Sequence, residues 1–297
     1  MKKKLLYLLI IFTTFFYHNT LVCTNDFTVD FVIYTFDRPM QAYALLESSE
    51  KFLSGLGDVY VICRTSSADY LKAYKEVASR FSGTKFVYQG DDPHKDFKPL
   101  MMRNAFGSDS RYIMFGVDDI IVKDYVNVKN CAKQLEKTLA YGFYLRLGHN
   151  ITECYSENKA TPLPPHTSVC KDIFQWEFKN GDGDWRYPNS NDMTIFKKAD
   201  IIADLSTINF TSTEYEGPWA DKADLNKKGL FFTESKIVGV PLNIVNEKYP
   251  NNRQMNAFTA QELLEKFNSG LKIDIIPFYR VSHKAPHSEF EIKFIKR

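Results

Sequence analysis

The sequence carries none of the compact motifs that announce the commoner nucleotide and hydrolytic chemistries. It has no Gly-x-x-x-x-Gly-Lys-Ser/Thr phosphate loop, no Gly-x-Gly-x-x-Gly after the first predicted strand and no Gly-x-Ser-x-Gly elbow. Cys-x-x-Cys and His-Glu-x-x-His metal sites are missing too. Charge of one sign is also scarce: 38 Lys and Arg stand against 36 Asp and Glu, interspersed along the chain. Without a basic stripe there is no electrostatic grip on nucleic acid, and no such partner is expected.

Cysteine is sparse, with five in 297 residues. Cys23 follows Leu21-Val22, a poor lipoprotein context. Cys154 and Cys170 bracket a Pro-rich loop and could pair in an oxidising compartment, while Cys63 and Cys131 read equally well as buried thiols.

The N-terminus has a long apolar run, but a short one by membrane standards. Met1-Lys2-Lys3-Lys4 leads into Leu5 to Tyr17, broken by Thr13 and Thr14, which gives a positive n-region and an apolar h-region. The run is about 13 residues, whereas a spanning helix needs roughly 20. Residues 1–24 are therefore read as a signal peptide in preference to an uncleaved anchor. Export, or membrane association through this segment, is the expectation.

What remains, 27–297, has the apolar and aromatic content to bury one large core. A Val, Ile, Phe and Tyr-rich strand over 27–36 ends at Asp37-Arg38-Pro39, and Leu45, Leu46, Phe52 and Leu53 recur at helical spacing after it. Strands at 58–63 and 85–88 follow, separated by an amphipathic helix over 68–81. A polar loop over 89–98 leads to a helix over 99–106, and an apolar strand over 112–117 runs into Asp118-Asp119. This alternation predicts an α/β fold: a mostly parallel central sheet flanked by helices, in a single domain. Further on come a helix near 126–141, a strand at 143–147, a Pro-rich insertion, a strand at 194–196 and a helix from 197. Strands within 231–245, a helix over 259–269 and a late strand over 273–278 complete the pattern. In such open sheets ligands bind outside the carboxyl ends of the strands, so the turn after the first strand and the acids after the fourth should face one pocket.

Tyr34-Thr35-Phe36-Asp37-Arg38-Pro39 resembles the first strand and turn of GT-A glycosyltransferases. About 80 residues later, Tyr112 to Ile120 resembles that family's strand ending in an acidic metal-binding motif. Arg103-Asn104 resembles the Arg-Asn element preceding it. The usual Asp-x-Asp spacing is replaced here by the adjacent pair Asp118-Asp119, whose side chains diverge on a strand.

The resemblance implies a GT-A-like, Rossmann-like fold with a nucleotide-binding half (27–125) and an acceptor-binding half (126–297). It implies transfer of a hexose-type sugar from a nucleotide-sugar to a glycan or other hydroxyl acceptor, assisted by Mn²⁺ or Mg²⁺. Thr35, Asp37, Arg38, Arg103 and Asp118 would meet the nucleotide, and Asp119 the metal. Late in the chain, His287 within His283-Lys284-Ala285-Pro286-His287-Ser288-Glu289 resembles the C-terminal His that many such enzymes recruit to metal or diphosphate, with His283 second. Trp185 to Phe196 resembles an acceptor-side segment containing Asp192, and Glu216 stands where inverting members place a general base; Asp192 is its rival for that role. Trp176, Trp185, Tyr187 and Asp192 form an expected acceptor wall.

Two other readings compete: an exported carbohydrate-binding protein on a degenerate GT-A scaffold without catalysis, and a nucleotidyltransferase, which usually has a Gly- and Lys-containing loop that Thr35 to Pro39 lacks.

Overall fold

The computed structural model describes residues 27–245, 253–255 and 257–297. The expected leader at 1–24 lies outside the described residues. Within them no helix is long and apolar enough to cross a membrane.

The architecture is α/β. Nine strands form the central sheet: β1 (Val29–Phe36), β2 (Leu56–Arg64), β3 (Lys85–Tyr88), β4 (Tyr112–Val117), β5 (Gly142–Tyr144), β6 (His166–Cys170), β7 (Ile173–Glu177), β8 (Thr194–Lys197) and β9 (Lys228–Phe232). Their order is β6-β7-β9-β5-β8-β4-β1-β2-β3. The β4-β1-β2-β3 side is wholly parallel. Beyond it β8 runs antiparallel to both β4 and β5, β9 is parallel to β5, and the β6–β7 hairpin closes the far edge.

β1 is central because it is apolar on both faces. Val29, Phe31 and Ile33 enter one core, and Val32 and Tyr34 the other, as alternation along a strand requires. Helix α1 (Pro39–Phe52) starts with Pro at its first turn, where a missing N–H costs nothing. Helix α2 (Ala68–Arg80) turns Tyr70, Ala73, Tyr74 and Val77 inward at helical spacing.

Several boundaries differ from expectation. Helix α3 (Pro93–Phe106) begins six residues before 99, because the Asp92 side chain caps it by accepting from Lys95 N and the helix continues through Pro99. The Pro-rich insertion leads into the β6–β7 hairpin. The late strand divides into Leu271–Ile273, paired with Phe294–Lys296, and a 3₁₀ turn at Ile276–Phe278. Cys154 and Cys170 are not bonded: the first is buried beside Ser156 and the second is exposed on the edge strand.

Candidate active site

The carboxyl ends of β1, β2 and β4 open onto a cleft of about 710 Å³, whose lining includes Thr35, Arg38, Asp118, Asp119, Asn243 and His287. That is the place where parallel sheets bind ligands.

Asp118 is held from both sides. Its Oδ1 accepts from Arg38 Nη1 at 2.9 Å and its Oδ2 from Thr35 Oγ1 at 2.7 Å. Thr35 is in turn 2.5 Å from the Tyr74 hydroxyl, which accepts from Arg38 N at 2.9 Å. Arg38 also donates from Nη2 to the Asn243 carbonyl. Burial lowers the Arg38 pKa, but Asp118 and Asp119 outweigh it and hold the guanidinium above its ordinary value. Burial raises the Asp118 carboxyl, against the pull of Arg38.

Asp119 stands differently. Its Oδ2 is 3.8 Å from Arg38 Nη1, and its Oδ1 is buried with no hydrogen-bond partner. Such an orphaned carboxylate oxygen is costly unless something binds it.

His287 reaches this region through a chain of backbone pairings. Directly after Asp119, Ile120–Val122 pairs antiparallel with Ile237–Gly239, and Gly239 bridges in parallel to His287. Gly239 N donates to Pro286 O and Ser288 N to Gly239 O. Burial lowers the His287 pKa, but Asp192, Asp119, Asp184 and Glu216 together carry it above its ordinary value.

The Asp119 carboxylate is an oxygen ligand of the kind a hard divalent ion takes, and His287 could add one imidazole nitrogen. Among the described residues no group of three or more His, Cys, Asp or Glu could hold one. An ion here would take at most two protein side chains, with diphosphate oxygens and water completing its shell, which is how Mg²⁺ is commonly bound.

Glu216 opens a short helix, Glu216–Ala220. Its Oε1 accepts from Asn191 N at 2.8 Å. Burial, then the nearby Asp192, push its carboxyl up to about 7, against the Asn191 hydrogen bond and Arg146. The segment bearing Asp192 is latched by its neighbours: Tyr215 OH donates to Asn191 Oδ1 at 2.6 Å, and Asn189 exchanges bonds with Tyr141 and Trp219. Buried Arg146 donates to the Asp184 and Tyr187 carbonyls and sets a positive charge behind these acids.

The cleft and its margin thus gather Thr35, Arg38, Asp118, Asp119 and His287, with Asp192 and Glu216 close enough to His287 to shift it. Other expected positions fall elsewhere. Asp37 sits at φ 52° with its carboxylate accepting from Ser66 N and Oγ, so it ties the ends of β1 and β2 and is not among the residues lining the cleft. Arg103 is exposed in the last turn of α3, away from the cleft lining. Trp176 and Trp185 are core residues, 2% and 0% exposed, with both indole N–H groups bonded to carbonyls. His283 is a satisfied core histidine: Nδ1 donates to Ala285 O, Nε2 accepts from Ser235 Oγ, and burial lowers its pKa to about 4. Sequence reasoning missed Tyr74, Arg146 and Asn243. Each lies far in sequence from the motif it supports, and only the spacing of Tyr74 on the buried face of α2 hinted at a role.

No protein-family model matches the chain. Over 159 residues, half of this chain and 20% of the other, it is 26% identical to the bifunctional glycosyltransferase pgtA of Dictyostelium discoideum. The chain therefore spans about one fifth of that relative's length. Among solved structures, S. aureus TarS 1–349 in complex with UDP overlaps 71% of this chain and 59% of its own, at TM-score 0.47 and 12% identity. UDP-glucose pyrophosphorylase complexed with UDP-glucose overlaps 82% and 98%, at TM-score 0.38 and 10% identity. The three motifs resemble GT-A-type glycosyltransferases, and this sequence relative is a glycosyltransferase.

Proposed function

We propose that the chain is a nucleotide-sugar-dependent glycosyltransferase of the GT-A type, transferring a sugar to a hydroxyl acceptor. The observation that carries this is the orphaned Asp119 carboxylate oxygen in a cleft at the strand ends, with His287 beside it and Glu216 poised near neutrality.

The sugar's anomeric C–O bond to the diphosphate breaks with its electron pair leaving on the diphosphate, and the acceptor oxygen forms the new bond to that carbon. Glu216 takes the acceptor's hydroxyl proton; a carboxyl near pH 7 is matched to that task. Asp192 and Arg146 set the field in which Glu216 titrates. In its neutral form His287 would offer a ring nitrogen to a cation on the departing diphosphate. Arg38, fixed by Asp118 and Asn243, keeps its charge beside the same group. A Mn²⁺ or Mg²⁺ ion held by Asp119 and His287 would neutralise charge on the leaving group.

The cleft is open, with Asp119 on its wall, whereas a carbohydrate-binding scaffold without catalysis would be expected to have this pocket obstructed. Export, or membrane association through residues 1–24, belongs to the proposal on the strength of the basic and apolar N-terminal run. A screen of UDP- and GDP-sugars for release of nucleoside diphosphate, with and without Mn²⁺, tests the function. Turnover of one donor supports it, and nucleotide-sugar binding without any turnover favours the binding scaffold.

A further inference from the structure

The tryptophans expected to grip the acceptor are sealed in the core, so an acceptor must be met by other residues. A second cavity, about 540 Å³, adjoins the cleft and shares Tyr155, Arg253 and His287 with it. Its remaining lining includes Glu153, Asn158, Lys159, Lys284 and Glu289.

The walls of this cavity are built and braced. One wall is the small hairpin in which Glu153–Cys154 pairs with Lys159–Ala160. The other is the 282–290 segment that carries His287. Thr152 N and Glu153 N both donate to Lys284 O, at 2.8 and 2.9 Å, joining the two walls at their base. Across the top, Arg253 Nη1 donates to Asn158 Oδ1 at 2.8 Å and Nη2 to Glu289 Oε1 at 3.3 Å.

Tyr155 is the aromatic at the junction. Its hydroxyl donates to Glu289 Oε1 at 3.0 Å, the Arg253 guanidinium lies 4.2 Å from its ring centroid, and the His287 ring is 6.3 Å away. It is half-buried, with its hydroxyl edge tied to Glu289 and one face covered by Arg253, and it lines both cavities.

We propose that this groove is the acceptor subsite and that it takes an uncharged oligosaccharide, with a sugar ring resting on Tyr155 and its reacting hydroxyl reaching past His287. The assignment rests on the glycosyltransferase reading above. The chemistry of the lining selects the class. Acids and bases alternate and pair, Lys284 with Glu153 at 3.6 Å and Arg253 with Glu289, so neither sign dominates the groove. Paired carboxylates, ammonium groups and an amide offer acceptors and donors to hydroxyls. The face of the fixed ring opposite Arg253 suits the apolar side of a pyranose. A phosphorylated or polyanionic acceptor would call for unpaired cations.

The test is binding of the full chain to an array of immobilised oligosaccharides, neutral and anionic, with UDP- and GDP-sugar binding measured on the same preparation. Neutral oligosaccharides should be retained, Tyr155→Ala should weaken them at least tenfold, and Tyr155→Phe, which keeps the ring, should retain most of the affinity. Asn158→Ala, at the far wall, should weaken the same glycans severalfold. Retention of anionic oligosaccharides in preference to neutral ones would overturn the ligand class. Absence of glycan binding, or neutral binding indifferent to both Tyr155→Ala and Asn158→Ala, would overturn the site. Nucleotide-sugar binding persisting in either case leaves the transferase reading standing. Its absence alongside glycan binding defeats that reading instead.

Discussion

Gly239 and His287 fit together only because position 239 has no side chain: a Cβ there would lie 2.2 Å from His287 Cδ2. The backbone of Gly239 simultaneously bonds Pro286 and Ser288 on either side of the histidine. The close approach therefore sets where the imidazole sits relative to Asp119.

Gly239→Ala should push the ring out of place and lower transfer about as much as His287→Ala does, with the fold retained. Circular dichroism together with kcat on both variants checks this. A Gly239→Ala enzyme of normal activity would show that the ring's position does not matter.

Asp118 and Arg38 form a buried pair with side-chain exposures of 4% and 11%. Removing one partner strands the other charge, so Asp118→Ala should cost about 3–5 kcal/mol in urea unfolding. Arg38→Met combined with Asp118→Ala should recover part of that loss, because no stranded charge remains. Additive losses in the double variant would mean the two groups are not coupled.

Glu216 titrates near 7 when folded and near 4.5 when free. In its proposed role as base it must be ionised, so kcat/KM should fall about tenfold per pH unit below about 7. Glu216→Gln should remove this limb together with most activity. Because the folded state holds the extra proton between those values, ionising Glu216 weakens stability as pH rises from about 4.5 through 7. His283 acts at the acid end. Folded it stays neutral down to about 4, while free it would protonate near 6.5, so its contribution is lost as pH falls across that window. Thermal unfolding of Glu216→Gln and His283→Gln across pH 4 to 8 separates the two.

The strands that position the site were legible because β1, β2 and β4 are apolar on both faces and end in abrupt polar turns. Helix α2 was legible from the spacing of its buried residues. The start of α3 was hidden because a proline inside a helix reads as a boundary. Asp118 and Asp119 stood out by position, but not the division between them, since which carboxylate is satisfied depends on Arg38, Thr35 and Asn243 meeting from three parts of the chain. Asp37 and Arg103 matched the motifs while the fold turned one towards Ser66 and the other to solvent. Trp176 and Trp185 looked like a binding wall, yet their bulk made them core.

In the proposed transferase, Asp119 holds the cation on the leaving diphosphate. The most direct measurement is Mn²⁺-dependent release of nucleoside diphosphate from the donor that the screen selects, comparing the native chain with Asp119→Asn. At least a hundredfold loss of release is expected in the variant, with an unchanged or slightly raised melting temperature because an unpartnered buried oxygen has been made neutral. Full activity in Asp119→Asn, at the same Mn²⁺ dependence, would contradict that role.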